Sequence, residues 1–156
     1  MPRAIMGPGT GLGLAYMIPI NDEKWHVKKT KGGHMAVAAV TEEQHTMINI
    51  MERFHDEGSI LVYEDFVSGR ALPNLYKAVT LLHGQKPAYE SGKDILSHPE
   101  DHGVKETLRL FHEFFGLFAH NTVVTGNAYG GIYLDGGVTH RLYEAGLFDY
   151  QTFSAF

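Results

Sequence analysis

The stretch Gly7-Pro8-Gly9-Thr10-Gly11-Leu12-Gly13, with the apolar run 14–20 behind it, decides how the rest of the chain reads. Four glycines at alternate positions remove Cβ atoms so that the backbone can take positive φ and approach a neighbour closely. With Thr10 adding a hydroxyl, such a turn offers a concave row of N–H donors suited to phosphate oxygens. A Gly-rich hairpin turn without a ligand is the plain alternative. Two familiar nucleotide loops do not fit. The pattern G-x-G-x-x-G fails because Leu12 or Leu14 stands where the third glycine belongs, and the P-loop fails because no lysine precedes Asn21. Leu14-Ala15-Tyr16-Met17-Ile18 is strand-like and apolar, so the loop is expected to join two strands rather than a strand and a helix.

Working outward, 156 residues have the length of one ordinary domain with a real core. A net charge of −5 argues against a nucleic-acid surface, and Lys28-Lys29-Thr30-Lys31, the one basic run, reads as a solvated strand end. No apolar run approaches the length that crosses a bilayer, and the first residues lack the apolar core of a secretory signal. Zero cysteines exclude disulfides and thiolate chemistry; with no export signal, the chain is expected in the cytoplasm. Among ten histidines none forms H-E-x-x-H. Only His98 and His102 share a four-residue spacing, in a segment flanked by proline and glycine that reads as loop rather than metal site.

Residues 3–6 read as the strand entering the glycine loop and 14–20 as the strand leaving it. The segment 25–29 alternates apolar and polar side chains, which predicts a half-buried third strand. Thr41-Glu42-Glu43-Gln44 is a capping box. It opens a helix carrying Met47, Ile48, Met51 and Phe54 on one face and ending at Gly58. Ile60-Leu61-Val62-Tyr63 reads as extended, leading to Glu64-Asp65. A second helix follows Ser68-Gly69 and runs to about His83, with Pro73 in its first turn. The span 84–103 reads as loop with one helical turn near 94–97. Val104, Leu108, Phe111, Phe115 and Phe118 trace the core stripe of a long helix to about Gly126. Residues 130–137 form a short buried strand between two glycine pairs, and a last helix is expected over 139–145. With no repeat or linker, residues 1–156 read as one domain of α/β or α+β class.

Taken in order, these motifs resemble the bacterial glucokinase family, ATP-dependent hexose kinases of the ribonuclease H-like, actin-like ATPase fold. Four places carry the resemblance: the glycine loop 7–13; Gly32-Gly33-His34, which is similar to a Glu-Gly-Gly-His sugar segment; Glu64-Asp65-Phe66-Val67-Ser68-Gly69 with Asn74-Leu75-Tyr76; and Gly130-Gly131-Ile132-Tyr133-Leu134-Asp135-Gly136-Gly137, which is similar to an adenosine segment. The resemblance implies an α/β large domain, incomplete at both ends, that phosphorylates the 6-hydroxyl of glucose with ATP and Mg²⁺. In that case Gly7, Gly9, Thr10, Gly11 and Gly13 would hold phosphates, Gly136 and Gly137 would lie against adenosine, and His34 and Glu64 would hydrogen-bond the sugar. Outside that constellation Glu64 reads as an ordinary acid and His34 as a loop histidine.

Three departures from the family pattern qualify the expectation. The first phosphate motif Asp-x-Gly-Gly-Thr and the catalytic Asp are not among these residues, so no residue is assigned as the base and the isolated chain is expected to be inactive. Lys31 stands where the family has glutamate, and an ammonium donates but does not accept. The closing strand and helix of the family pattern are also not among them. A non-catalytic sugar- or nucleotide-binding module is therefore the competing expectation. A homodimer or a partner chain supplying the missing half are the expected assemblies, because a part of such a domain exposes sheet edges.

Overall fold

Alternation along the first strand sets the core. In the computed structural model, which describes residues 1–156, strand β1 (Arg3–Pro8) buries Ala4 and Met6, and β2 (Leu12–Pro19) buries Leu12 and Leu14 on the same face. The two strands form an antiparallel hairpin with Met6 opposite Leu14 and Gly7 opposite Gly13. β3 (Trp25–Thr30) adds antiparallel to β2, and β4 (Ile132–Leu134) adds parallel to β1, giving the order β3-β2-β1-β4.

Between β3 and β4 the chain supplies the helical layer. Helix α1 (Glu42–Met51) opens with the expected capping box: Thr41 accepts from the Gln44 N–H at 3.1 Å, and Gln44 reaches back to the Thr41 N–H. Helices α2 (Leu72–Leu82) and α3 (Gly92–Leu96) follow, then the long α4 (His102–Gly126). Asp101 caps α4 through the Gly103 N–H, and Asn127 ends it in the left-handed region. The expected stripe is core: Val104, Leu108, Phe111, Phe115 and Phe118 are all buried, with Phe114, Met6, Tyr63 and Phe66 in the same cluster. Helices α5 (Gly137–Glu144) and α6 (Tyr150–Phe153) complete the chain.

Several local expectations need correction. β3 is exposed along nearly its whole length, so it is a solvated edge rather than a half-buried strand. Its alternation is real, but nothing covers either face, and Trp25 lies under the Arg3 guanidinium instead. α1 stops at Met51 and passes through one tighter turn, Glu52–Phe54, well before Gly58. The run before Glu64 contributes one bridge, Ala36 to Val62, and then the turn Tyr63–Asp65. β4 is half-buried, not buried. Gly136, at φ +91°, caps α5 directly, so the second glycine pair begins a helix rather than a loop. α6 was not expected from the sequence.

The docking of α6 rests on a buried histidine. His112 Nδ1–H donates to the Leu108 carbonyl at 2.6 Å, and Nε2 accepts the Asp149 N–H at 3.1 Å, so only the neutral ring satisfies both contacts. Burial pushes this imidazole below its ordinary range. The unfolded chain takes up a proton near pH 6.5, while the folded chain resists it until lower pH. The contribution is therefore complete above about pH 6.5 and is lost as the pH falls from there toward the folded-state pKa. The urea midpoint is expected to drop between about pH 7 and about pH 5.5, and more steeply in the parent than in His112→Gln. Equal slopes in the two proteins would remove His112 from that account.

Candidate functional site

Two distant segments are brought together by backbone pairing. Met35 accepts the Tyr63 N–H at 3.1 Å, and Val37 donates to the Leu61 carbonyl at 3.1 Å. The residue before the first segment is His34, and the residue after the second is Glu64. Their side chains consequently meet, with His34 Nε2 3.5 Å from Glu64 Oε1. His34 sits on the turn Gly32–His34, which is pressed onto the start of β2. A Cβ on Gly33 would stand 2.2 Å from the Leu12 carbonyl oxygen, so only glycine permits that approach.

Glu64 is positioned from three sides. Tyr63 beneath it is buried, accepts a hydrogen bond from Asn121 at 2.7 Å and packs on Phe118. The Ser68 hydroxyl donates to the Glu64 carbonyl. The carboxylate itself accepts the Leu12 N–H at Oε2 (2.8 Å) and the Arg70 guanidinium at Oε1 (2.9 Å). The side chain of Glu64 is only 15% exposed, whereas that of His34 is 59% exposed, so the pair has a fixed half and an open half.

Leu12 belongs to the glycine loop, so this carboxylate is also a strut of that loop. The loop tip is closed by a Gly9 N–H to Gly11 carbonyl bond of 2.8 Å and tied down by the Gly69 N–H on the Gly9 carbonyl at 2.7 Å. The N–H groups of Thr10 and Gly11 have no partner in the chain, and Thr10 is exposed. None of Gly7, Gly9, Gly11 and Gly13 has positive φ, contrary to the expectation for such a turn. The hairpin closes with ordinary backbone angles, and close approach is what demands glycine at two of the four positions. A Cβ on Gly7 would stand 2.4 Å from the Asp135 carbonyl oxygen, and one on Gly11 would stand 2.6 Å from Glu64 Oε2. A Cβ on Gly9 would meet nothing within 4 Å, and one on Gly13 would make only an ordinary contact of 3.8 Å with the Gly7 carbonyl oxygen.

The residues expected to meet adenosine lie beside the loop, at the junction of β4 and α5. Gly136 packs on the Pro8 carbonyl, so its lack of a side chain serves the chain itself; a Cβ on Gly137 would meet only the end of the Arg141 side chain, at 4.0 Å. The Asp135 carboxyl is held below the usual carboxylate range by the Gly136 N–H and by His140, 3.1 Å away. Two clefts flank the loop. One, of about 380 Å³, runs over the strand ends past Gly7, Gly13, Lys29 and Asp135. The other, of about 290 Å³, runs past Gly9 and Thr10 between Arg70, Lys93 and Arg141. Arg70, Lys93, Arg141 and the Leu12 N–H carry no sequence signal of their own and become visible only in the fold. His98 and His102 do not converge: His98 stacks on Tyr89, and His102 lies against His83.

Comparison with known proteins identifies the relatives of this chain and of its fold. The family model described as Glucokinase matches residues 1–155. The glucokinase of Paramagnetospirillum magneticum is 32% identical over 148 residues, covering 93% of this chain and 45% of the relative. The crystal structure of a glucokinase from an Antarctic psychrotroph superposes with a TM-score of 0.82 at 27% identity, over 94% of this chain and 45% of that one. A ROK family glucokinase from Streptomyces griseus, solved with glucose and AMPPNP, shares the fold at a TM-score of 0.59 and 17% identity, over 99% of this chain and 51% of its own. The fold is thus the actin-like ATPase fold of these sugar kinases. The chain spans about half the length of the relatives it matches.

Proposed function

The chain belongs to the glucokinase family, and from that premise we propose that residues 1–156 supply the sugar pocket and the donor-phosphate loop of an ATP-dependent glucose kinase of the cytoplasm. The observation that carries this reading is the single carboxylate of Glu64. It lies 3.5 Å from His34 and at the same time accepts the N–H of Leu12 in the glycine loop. Sugar acceptor and phosphate loop are thereby parts of one rigid unit, which is what in-line phosphoryl transfer asks of a protein. Glu64 and His34 would orient glucose hydroxyls, and the unpaired N–H groups of Thr10 and Gly11 would face phosphate oxygens. Gly137 and the start of α5 would border adenosine.

No group of three His, Asp or Glu residues converges in this chain, so its own residues do not fit a Mg²⁺ cage. The ion would arrive on the nucleotide phosphates, and no step here depends on a protein ligand to it. A proton acceptor for the 6-hydroxyl is also not provided by the site. Glu64 is engaged by Arg70 and Leu12, and Asp65 accepts the Val62 N–H at 2.8 Å. The base is therefore proposed to come from outside residues 1–156. A non-catalytic sugar- or nucleotide-binding module is the second reading, favoured by Lys31, which is exposed beside His34 and only donates.

A coupled assay for glucose 6-phosphate tests the first reading. The polypeptide 1–156 alone is expected to show no turnover above background. Turnover should appear when it is joined to the Asp-x-Gly-Gly-Thr-bearing half of a glucokinase relative. Activity of the polypeptide alone would place the base inside it, and an inactive joined protein that binds glucose would favour the module.

A further inference from the structure

Beside Glu64 the chain leaves a chamber of about 140 Å³, between the end of α1, the turn Tyr63–Asp65 and the start of α2. Its lining is of two kinds. Met51, Leu61 and Ala71 are buried and apolar, whereas His55, Asn74 and Glu64 are polar. His55 Nε2 is buried without a hydrogen-bond partner in the chain, a condition that costs free energy until a partner arrives. Arg70 and Asn74 are exposed and mark the mouth, and Arg70 also borders the groove beside the loop tip. No residue of the loop 7–13 lines the chamber.

We propose that this chamber admits an acetamido group on carbon 2 of the sugar, so that the pocket takes 2-acetamido-2-deoxyhexoses as well as glucose. The proposal rests on the sugar-pocket reading and widens the substrate class of that same site. Orientation follows from the reaction. The 6-hydroxyl must point toward the phosphate loop, and carbon 2 lies directly across the pyranose ring from carbon 5, which carries the 6-hydroxymethyl group. A sugar so placed, with a hydroxyl on Glu64, turns carbon 2 away from the loop and toward the chamber. The single bond from Arg70 leaves Glu64 Oε1 able to accept that hydroxyl as well. An acetamido group needs about the room of three waters, at about 30 Å³ each, and the chamber has that room. Its methyl matches the apolar wall, and its amide gives His55 Nε2 the partner that the chain does not supply. His55 and Asn74 are therefore the residues that set specificity at carbon 2.

Titration calorimetry of residues 1–156 with glucose and with N-acetylglucosamine tests this in the parent, in His55→Leu and in Asn74→Leu. N-acetylglucosamine is expected to bind the parent within about tenfold of glucose, and each variant to lower its affinity relative to glucose by about tenfold. Asn74 is exposed, so its variant keeps the test open should His55→Leu fail to fold. Glucose binding without N-acetylglucosamine binding would overturn the proposal and keep the sugar pocket; the chamber then holds only water. An affinity ratio unchanged in both variants would also overturn it, by seating the acetamido group elsewhere. A folded parent that binds neither sugar would remove the sugar-pocket reading and the proposal with it.

Discussion

Gly7→Ala is expected to cost about 3 kcal/mol of stability, a fall of roughly 10 °C in Tm for a chain of this size. The added Cβ would stand 2.4 Å from the Asp135 carbonyl oxygen and 2.8 Å from the Gly136 nitrogen. Both obstacles are backbone, so no side-chain rotation relieves the clash; β1 and the β4–α5 junction must separate. That junction is held by the Asp135 N–H on the Met6 carbonyl at 2.9 Å, so the substitution strains the contact that places α5 beside the loop. Gly9→Ala is the control, since a Cβ there meets nothing within 4 Å and the residue has no positive φ. Its stability should match the parent within about 0.5 kcal/mol. Thermal denaturation followed by circular dichroism distinguishes the two. Equal melting temperatures would mean that the strand and the α5 junction do not meet as described.

Glu64→Gln is expected to weaken glucose binding by about 10- to 100-fold, the range for losing a charged acceptor of hydrogen bonds. The substitution is chosen for its shape. Glutamine retains an oxygen for the Leu12 N–H, so the loop keeps its strut while the charge facing His34 and Arg70 disappears. Glu64→Ala should go further and loosen the loop as well, leaving the Leu12 N–H unpaired in a half-buried place. The expected pattern is a loss of glucose affinity in both variants and weaker Mg-AMPPNP binding mainly in the alanine variant. Titration calorimetry with each ligand checks it. Undiminished glucose affinity in Glu64→Gln would show that the carboxylate serves the loop alone.

Those two residues mark how far the site could be read from sequence. The loop and its two strands were legible because four alternate glycines interrupt an apolar alternation, which few structures other than a hairpin accommodate. Helix α4 was legible because Val104, Leu108, Phe111, Phe115 and Phe118 keep one face at intervals of four and three. The convergence of His34 with Glu64 has no periodic signature. It depends on two three-residue stretches, 35–37 and 61–63, pairing by a single bridge, and only the resemblance to a kinase family anticipated it. Arg70 was invisible because its role comes from a turn, closed by the Ser68 hydroxyl, that swings it back onto Glu64 and out over the groove. β3 misled for the opposite reason. Trp25 and Val27 obey the alternation of a covered strand, yet neither face of this edge is covered, and alternation reports pleat rather than burial. α6 was missed because four residues are too few to show a period; it is fixed by Asp149, which caps it and docks on His112.

The most direct test of a shared sugar and phosphate site is an amide NMR titration of residues 1–156 with glucose and then with Mg-AMPPNP. Glucose is expected to shift the amides of His34, Glu64 and Leu12, the last through the carboxylate that accepts its N–H. Mg-AMPPNP is expected to shift Thr10, Gly11 and Gly137. A folded chain in which neither ligand moves these amides, or in which glucose shifts a set remote from Glu64 and Leu12, would contradict the account.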